Sequence, residues 1–234
     1  MAQVKLYDVF NHWYHGGVIW VFSDTHFEDS DCKLMDKNWI TPEEQLKILN
    51  SKIGKKDTLI HLGDVGNKEW IKQIKGYKVL ICGNHDHGAS VYEANWFVYT
   101  TFADKKEQFG PFKTYEDAKN YKAEFDQDHP SVKTYVASDK LFDEVYEGPL
   151  FINDKILLSH EPINLGFGIN IHGHNHSGPR KVIKNGCASI NMAANVVNYQ
   201  PERLDKLIEG IKVNDLHRIT IDWATEHSLK KNGK

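Results

Sequence analysis

Residues 18–26 read VIWVFSDTH, an unbroken apolar run that is followed at once by Ser, Asp, Thr and His. A short and continuously apolar run is typical of a strand that is buried on both faces of a sheet. We therefore predict a strand over residues 18–22, with Asp24 and His26 just beyond its carboxyl end. Carboxylate and imidazole groups bind metal ions and transfer protons, so this strand end is a candidate functional site.

Four further apolar runs end in the same way, and they are residues 58–62, 78–82, 156–158 and 169–171. The groups that follow them are Gly63-Asp64, Gly83-Asn84-His85-Asp86, Ser159-His160-Glu161 and His172-Gly173-His174-Asn175-His176. Ligands of α/β proteins bind outside the carboxyl ends of the strands. We therefore expect all five strand ends to meet at one site.

Helix signals lie between these strands. Thr41-Pro42-Glu43-Glu44 is a capping box with proline at the first helical position, and apolar residues follow it at helical spacing. A weaker cap at Thr114 predicts a second helix, and Pro201 predicts the start of a third. Further strands are predicted over residues 4–10, 151–152 and 217–223. Strands that alternate with helices predict an α/β fold with mixed sheets.

The chain has 234 residues, of which 29 are Lys or Arg and 32 are Asp or Glu, so its formal net charge is −3. A near-neutral chain does not suggest a protein that coats the phosphates of duplex nucleic acid. The length predicts a single domain over residues 1–228, with a loose tail over 229–234. A polar and aromatic insertion is expected at about 102–140. It is either a solvated surface insertion with one amphipathic helix or a lid whose aromatic rings meet a substrate base.

The three cysteines, Cys32, Cys82 and Cys187, show no paired spacing. This favours a reducing compartment over a disulfide framework or a Cys-type zinc site. The N-terminus has no leader pattern, and no stretch approaches the roughly 18 apolar residues of a membrane span. We therefore expect a cytoplasmic protein without a membrane partner.

The candidate ligands at the strand ends indicate the kind of metal. Oxygen atoms of Asp and Asn, together with neutral imidazole nitrogens, suit Mn²⁺, Fe, Zn²⁺ or Co²⁺ better than Ca²⁺ or a structural zinc. The strand ends supply too many such groups for one tetrahedral ion. They suit two ions about 3.5–4 Å apart that share a carboxylate.

In sequence order these groups form the motifs DxH, GD, GNH[DE], H and GHxH. The pattern resembles the signature of the calcineurin-like metallophosphoesterase superfamily, over roughly residues 18–195 and interrupted by the insertion. The segment after residue 191 is similar to the closing strand and helix of small, single-domain bacterial and phage members. The resemblance implies the family's fold, a four-layer α/β/β/α sandwich of two mixed β-sheets flanked by helices, with the metals at one edge.

The resemblance also implies a role for each motif residue. Seven ligands would divide between two ions with one residue shared: Asp24, His26, Asp64 and His176 for the first ion, and Asp64, Asn84, His160 and His174 for the second. His85 matches the family's catalytic histidine, which is not a ligand. His87 and Asn67 are candidate substrate contacts.

Asn67 is also a departure from the family pattern. Many members have an Asp at this position, where it can orient the catalytic histidine. An amide can hydrogen-bond an imidazole but does not stabilise an imidazolium by charge. Asp86 or another group would then have to take that role for His85.

The reaction that the resemblance implies is hydrolysis of a phosphoester with two divalent transition-metal ions. A hydroxide between the ions would attack phosphorus in line with the leaving oxygen, and His85 would act as acid or transition-state stabiliser. Mn²⁺ is the first choice of metal, and Fe, Zn, Co or Ni would also fit the ligands.

The rim of such a site decides its substrate, since one kind of two-metal centre serves many phosphoesters. We expect a small phosphodiester or nucleotide, because the chain has no long basic stripe for duplex nucleic acid. Phosphomonoesterase or protein phosphatase activity is the alternative, although the GDxxDRG pattern of protein phosphatases is absent. A third interpretation is a non-catalytic metal-binding scaffold. Such scaffolds typically lose ligands or the catalytic histidine, whereas this chain has a suitable residue at all eight positions. The oligomeric state is left open.

Overall fold

The computed structural model describes residues 3–102 and 105–214. The chain forms two compact units, which we describe separately. The core unit comprises Met1–Val91 and Phe142–Lys234, and the inserted unit comprises Tyr92–Leu141. The inserted unit encloses the insertion expected at about 102–140. The single domain over 1–228 stays a prediction, and the tail over 229–234 lies outside the described residues.

The described residues form strands, α-helices and short 3-10 helices. The strands are β1 (Ile19–Phe22), β2 (Thr58–His61), β3 (Tyr77–Ile81), β4 (Trp96–Phe102), β5 (Lys105–Phe112), β6 (Lys133–Ser138), β7 (Glu144–Tyr146), β8 (Leu150–Phe151), β9 (Ile156–Leu158), β10 (Gly168–His172), β11 (Lys181–Lys184), β12 (Cys187–Asn191) and β13 (Glu202–Arg203). The α-helices are α1 (Cys32–Met35), α2 (Pro42–Lys52), α3 (Tyr115–Asp128) and α4 (Leu204–Ile208), and the 3-10 helices span Asp8–Trp13, Lys68–Gln73 and Ala89–Tyr92. Among these residues, no helix has the length and apolar character that crossing a membrane requires.

The core unit contains two five-stranded sheets, and both are mixed. The first sheet has the order β13-β1-β2-β3-β7, in which β13 is the antiparallel edge strand of an otherwise parallel sheet. The second has the order β11-β12-β10-β9-β8, with three parallel strands between antiparallel edges. This arrangement confirms the predicted fold class, an α/β protein with two mixed sheets and helices.

The apolar runs of the sequence correspond to the central strands of these sheets. Every residue of β2, β9 and β10 is buried. A parallel strand that is covered on both faces has no solvent side that selects polar residues, so its sequence is apolar throughout. For this reason the strands predicted before the five polar groups agree with the structure to within one residue at each end.

Helix α2 begins where its capping box predicts. The hydroxyl of Thr41 accepts a hydrogen bond from the backbone N–H of Glu44 at 3.3 Å, and the Glu44 carboxylate accepts one from the N–H of Thr41 at 2.9 Å. On the buried face of the helix, the amide of Gln45 donates to the carbonyl of Thr25 at 3.1 Å. The helix is thus tied to the loop that follows β1.

The strand predicted over residues 4–10 is wrong. The structure has a 3-10 helix over Asp8–Trp13 instead. Leu6, Phe10 and Trp13 are all buried, and their separations of four and three residues are those of a helix rather than of a strand. The apparent alternation of apolar and polar residues in this segment therefore misled the prediction.

The helix predicted from Pro201 begins later, at Leu204. The two residues between them form β13 and pair with Trp20 and Val21 of β1. Pairing with the edge of the first sheet thus delays the helix. The strand predicted over residues 217–223 lies outside the described residues.

The inserted unit is a three-stranded antiparallel sheet in the order β5-β4-β6, together with α3. The predicted cap of α3 is present, since the hydroxyl of Thr114 accepts the N–H of Asp117 at 3.1 Å. The sheet was not predicted, because β5 is exposed along almost its whole length and therefore lacks an apolar alternation. The expected helix is thus present, and a three-stranded sheet accompanies it.

The two sheets of the core unit meet at the carboxyl ends of their central strands. Ser23, directly after β1, forms a parallel bridge with Ala193, two residues after β12. The backbone N–H of Asp24 also donates to the carbonyl of Gly63, in the loop after β2, at 2.9 Å. The loops that follow the parallel strands of both sheets are therefore neighbours.

Candidate metal centre

The structure brings polar residues from these loops together in two groups. Within each group the potential ligand atoms lie within 4.8 Å of one another. We call them the first cluster and the second cluster; their members are Asp24, His26 and His176 in the first, and Asp64, His160 and His174 in the second. Each cluster combines loops from both sheets, as the convergence of the strand ends predicts.

Asp64 lies between the two clusters. Its Oδ2 atom is 3.6 Å from Nε2 of His26 in the first cluster and 3.2 Å from Nε2 of His160 in the second. Its Oδ1 atom accepts the backbone N–H of His85 at 2.9 Å. One carboxylate oxygen therefore faces ligand nitrogens of both clusters, which is the position that a shared ligand needs.

Asn84 joins the second cluster. Its Oδ1 atom is 2.9 Å from Nε2 of His160 and 3.2 Å from Nδ1 of His174. The two ring nitrogens are themselves 3.2 Å apart. With the Asp64 carboxylate, lone pairs from four side chains meet at one point, which is the arrangement that a cation stabilises.

Three of the cluster histidines are held by a hydrogen bond at the ring nitrogen that faces away from the cluster. These bonds run from Nδ1 of His26 to the carboxylate of Asp29 at 3.0 Å, from Nδ1 of His160 to the carbonyl of Leu62 at 2.8 Å, and from Nδ1 of His176 to the amide oxygen of Asn195 at 3.0 Å. With its proton on Nδ1, each ring in its neutral form can present the lone pair of Nε2 to its cluster.

The backbone of the cluster loops is left-handed at four ligand positions, with φ of +56° at Asp24, +40° at His26, +56° at Asp64 and +64° at His174. Non-glycine residues in this region cost about 1–3 kcal/mol each and concentrate at functional sites. The loops also pass very close to each other at Gly63, where a Cβ atom would lie 2.4 Å from the backbone nitrogen of Gly83. Strain and close packing thus both fall on the ligand loops.

The buried carboxylate of Asp86 fastens two of these loops together. Its Oδ2 atom accepts the backbone N–H groups of Asp64 at 2.9 Å and Gly83 at 2.7 Å, and its Oδ1 atom accepts that of Val65 at 3.0 Å. The three donors belong to the loops after β2 and β3. Asp86 therefore positions the backbone that carries Asp64 and the neighbouring Asn84.

The two clusters shift the ionisation of their own members. Burial opposes a charge on His160, but its hydrogen bond to Asp64 and the charge of Asp24 raise its pKa to about 9. Burial also opposes a charge on Asp64, yet the hydrogen bond from His160 lowers its pKa to about 2. Burial raises the pKa of Asp24. Buried carboxylates need a compensating positive charge, which here comes from imidazolium or from a cation.

His85 lies beside the first cluster. Its side chain is exposed, and its ring centroid is 5.6 Å from that of His26. His87 is also exposed, with a left-handed φ of +56°. The structure thus places His85 next to the predicted ligands, whereas substrate contact by His87 stays a prediction.

Asn67 has a local structural role in the structure. It caps the 3-10 helix Lys68–Gln73, because its amide oxygen accepts the N–H of Glu69 at 3.1 Å. Its amide nitrogen donates to the carboxylate of Glu28. These contacts account for an Asn at this position without any bound ligand. Its contact with substrate stays a prediction.

Two histidines that lie next to the motifs make hydrogen bonds to other residues. Nε2 of the buried His61 is 3.1 Å from the hydroxyl of Thr25. Nε2 of His172 is 2.8 Å from the hydroxyl of Ser189 on β12. Neither is a member of the two clusters.

Sequence reasoning missed three residues that support the rings of the first cluster. Asp29 and Asn195 accept the hydrogen bonds described above, and the indole of Trp39 packs 5.9 Å from the ring of His26 and 5.6 Å from that of His176. Asp29 follows His26 by three residues, and this short spacing is a signal that could have identified it. Asn195 and Trp39 are distant in sequence, so only the tertiary fold reveals them.

Two cavities of the core unit open beside the clusters. A cavity of about 280 Å³ is lined by residues that include Asn84 and His160, and one of about 200 Å³ by residues that include His26, Asp29 and Trp39. Ligand atoms of both clusters thus border space that a small molecule can enter.

An α/β fold with two groups of nitrogen and oxygen ligands that meet at one carboxylate is typical of metal-dependent hydrolases. A family model described as calcineurin-like phosphoesterase matches residues 17–194, which is most of the chain. The chain therefore belongs to the calcineurin-like phosphoesterase family, and it is a metal-dependent phosphoester hydrolase. This confirms the resemblance seen in the motifs and sets aside the interpretation as a non-catalytic scaffold.

Two solved structures resemble the chain at low sequence identity. A protein of unknown function from Aquifex aeolicus is 20% identical, with 83% of this chain and 99% of that chain covered and a TM-score of 0.49. The nuclease MPE from Pseudomonas putida is 18% identical, with 74% of each chain covered and a TM-score of 0.39. No curated protein matches the chain. Family membership therefore rests on the family model.

The residues of the two clusters fit the divalent cations that this family implies. Nε2 of His26 is buried and has no hydrogen-bond partner within the described part of the chain. A buried polar atom of this kind normally has a hydrogen-bond partner. A bound cation would take the place of that partner. The mixed imidazole, carboxylate and amide donors suit borderline divalent metals. The chain thus offers two potential metal sites.

Proposed function

We propose that this chain is a phosphodiesterase or nucleotide hydrolase that uses two divalent metal ions to cleave a small phosphoester. The observation that carries the proposal is the position of Asp64 between the two clusters, with His85 beside them. The proposed ligands are Asp24, His26, Asp64 and His176 for one ion, and Asp64, Asn84, His160 and His174 for the other. His85 is the proposed catalytic residue.

When bound, two such cations supply Lewis-acid activation of water and of the phosphoryl oxygens. Asp64 would be the ligand that the two ions share, and Asp86 fixes its backbone by accepting the N–H of Asp64. The hydrogen bonds to Asp29, Leu62 and Asn195 keep the ligand rings in one tautomer and orientation. The site is therefore preorganised by the chain's own contacts.

His85 supplies the proton that the leaving oxygen needs. Its backbone N–H is bonded to Asp64 Oδ1, so the ring is carried at a fixed place relative to the shared carboxylate. Its side chain is exposed, which leaves it accessible to a substrate. Protonated at Nδ1 and Nε2, it stabilises charge on the leaving group or transfers one proton to it.

A small phosphodiester or nucleotide is the substrate we propose. The cavity beside Asn84 and His160, of about 280 Å³, is near the lower end of the roughly 300–1,000 Å³ of small-molecule sites. Since the net charge of the chain is −3, the attraction for phosphate would come from the bound ions rather than from the protein as a whole.

Mn²⁺ is the native metal in this proposal, because the donor set is rich in both imidazole and carboxylate. A cytoplasmic location accompanies it, because the thiols of Cys32, Cys82 and Cys187 are all free and suit a reducing compartment.

The test compares a diester with a monoester. Purified chain loaded with Mn²⁺ is assayed on bis-p-nitrophenyl phosphate and on p-nitrophenyl phosphate, with metal content measured on the same sample. We expect faster turnover of the diester. Faster turnover of the monoester would instead support the phosphomonoesterase alternative. No turnover of either substrate by protein that holds two metal ions would overturn the proposal.

A further inference from the structure

The sheet of the inserted unit has one face covered by its own helix. Phe109 of β5 packs against α3, with its ring 5.5 Å from that of Tyr121 and 5.3 Å from that of Phe125. Val98 of β4 is the register partner of Phe109 and is fully buried. Side chains alternate between the two faces of a strand. The residues next to Val98 and Phe109 along their strands therefore lie on the other face, which we call the open face.

Aromatic rings form a row on the open face. Tyr99 of β4 pairs directly with Tyr135 of β6, and their rings are stacked with centroids 5.2 Å apart and planes 15° apart. The ring of Phe97 lies 6.3 Å from that of Tyr99. Tyr135 is 49% exposed, and β6 is an edge strand. Among the described residues, no strand of this sheet lies beyond β6 on the outer side of the Tyr135 ring, so another flat ring can continue the stack there.

Two lysines flank this aromatic row. Lys106 of β5 and Lys133 of β6 are both register partners of Thr101, two residues beyond Tyr99 on β4. They thus lie about 7 Å along the strands from the stacked rings. Both lysines are exposed. Among the described residues neither forms an ion pair, whereas the helix lysines Lys119 and Lys122 are paired with carboxylates.

Among the described residues of β4, β5, β6 and α3, the acidic side chains lie away from the open face. Glu107 pairs with the buried Thr100, so it lies on the face that α3 covers. The described residues that lie on the open face are Phe97, Tyr99, Thr101, Lys106, Gln108, Lys133, Tyr135 and Ala137, and none of them is acidic. The helix carries the carboxylates instead, at Glu116, Asp117, Glu124, Asp126 and Asp128. The open face therefore combines aromatic rings with unpaired positive charge.

We propose that the open face of the inserted unit binds single-stranded nucleic acid. Stacking on an aromatic ring accepts any base, and lysines beside the rings attract the backbone phosphates. A duplex keeps its bases stacked inside and cannot offer them to Tyr135, so the geometry selects unpaired strands. The charge and ring chemistry of the face match this one ligand class.

The inference goes beyond the proposed function, since that function concerns a small phosphoester and the open face would bind a strand. Binding to the open face itself does not depend on catalysis.

The experiment measures binding by fluorescence anisotropy. The full-length, metal-loaded chain is titrated into a labelled single strand of about 10 nucleotides with phosphorothioate linkages, and gels confirm that the probe stays intact. We expect Tyr135→Ala to weaken binding roughly 10-fold or more. A plot of log affinity against log salt concentration has a negative slope. The double variant Lys106→Ala and Lys133→Ala should reduce the size of this slope by about 1.4, because two phosphate contacts are lost.

Matched variants on the helix side act as controls. Tyr115 is 48% exposed and Lys119 is an exposed lysine of α3. Tyr115→Ala and Lys119→Ala should leave the affinity within about twofold. Circular dichroism of every variant checks that the inserted unit remains folded.

The inference and the proposed function are tested by separate outcomes. Absence of binding by the unaltered chain, equal losses for Tyr135→Ala and Tyr115→Ala, or a duplex bound as tightly as the single strand would each overturn the inference. Hydrolysis of bis-p-nitrophenyl phosphate by the unaltered chain is a separate measurement that involves no nucleic acid. Its failure would overturn the proposed function while the binding result still stands.

Discussion

The first and second clusters differ in how they are enclosed. In the first cluster, Asp24 and His26 are buried, and Trp39 packs on two of its rings. In the second, Asn84 and His174 are exposed, although Asp64 and His160 are buried. The second cluster thus has more solvent-exposed candidate ligands than the first. Asp64 belongs to the second cluster, and its carboxylate also faces His26 of the first.

Removal of the shared carboxylate is expected to have the largest effect. Asp64→Asn should weaken the binding of both ions, because loss of one partner from a buried charge network costs about 3–5 kcal/mol, or roughly 150- to 5,000-fold in affinity. Metal content measured by mass spectrometry after dialysis should fall at both sites. Glu43→Gln, which removes an exposed carboxylate from α2, should change neither metal content nor turnover. Retention of one tightly held ion in Asp64→Asn would show that the clusters do not share it.

Loss of His85, the proposed catalytic histidine, should separate chemistry from metal binding. His85→Ala is expected to lower turnover of bis-p-nitrophenyl phosphate about 100-fold, since it removes a proton donor. Metal content should stay the same, because the side chain of His85 is not a member of either cluster. His15→Ala, at an exposed histidine whose ring contacts Tyr77, is the matched control. Loss of metal in His85→Ala would mean that its imidazole is a ligand.

The support of the first cluster can be weakened without touching the second. Asp29→Asn should reduce affinity for the first ion by about 10- to 100-fold, because the hydrogen bond that fixes the ring of His26 becomes weaker. Stepwise metal titration followed by calorimetry should show one site weakened and the other unchanged. The exposed neighbour Asp31 provides the control variant Asp31→Asn. Equal weakening of both sites would remove the distinction between the clusters.

The smallest effect is expected at the cap of α2, the helix that is bonded to the loop after β1. Thr41→Ala removes the capping hydroxyl and should cost about 1 kcal/mol, which lowers Tm by roughly 2–4 °C for a chain of this size. Thr41→Ser keeps the hydroxyl and should retain most of the stability. Thermal unfolding of the two variants checks the difference, and an equal loss in both would show that the cap does not stabilise the helix.

The sequence predicts the core unit well because its strands are continuously apolar and its ligands follow them directly. This pattern alone predicts which residue types each loop carries and that each loop lies at the end of a strand. Asp29 could be predicted from its spacing of three residues after His26. Asn195 and Trp39 are brought to the first cluster only by the tertiary fold. The division of the ligands between two ions follows from the family resemblance and not from the pattern of apolar runs.

The inserted unit shows the opposite case. Its strand β5 is exposed and charged, so the pattern that identifies a buried strand is missing. Helix α3 is predicted because its cap at Thr114 is a local feature. The stacking of Tyr99 on Tyr135 depends on strand register, which no local signal in the sequence specifies.

The central claim is that two ions share Asp64, and electron paramagnetic resonance of the Mn²⁺-loaded chain tests it most directly. Two Mn²⁺ ions that share a carboxylate are close enough for their electron spins to couple. We predict that the spectrum of protein with two equivalents of Mn²⁺ shows this coupling, and that Asp64→Asn abolishes it. A spectrum of isolated, uncoupled Mn²⁺ in protein that holds two equivalents would contradict the account.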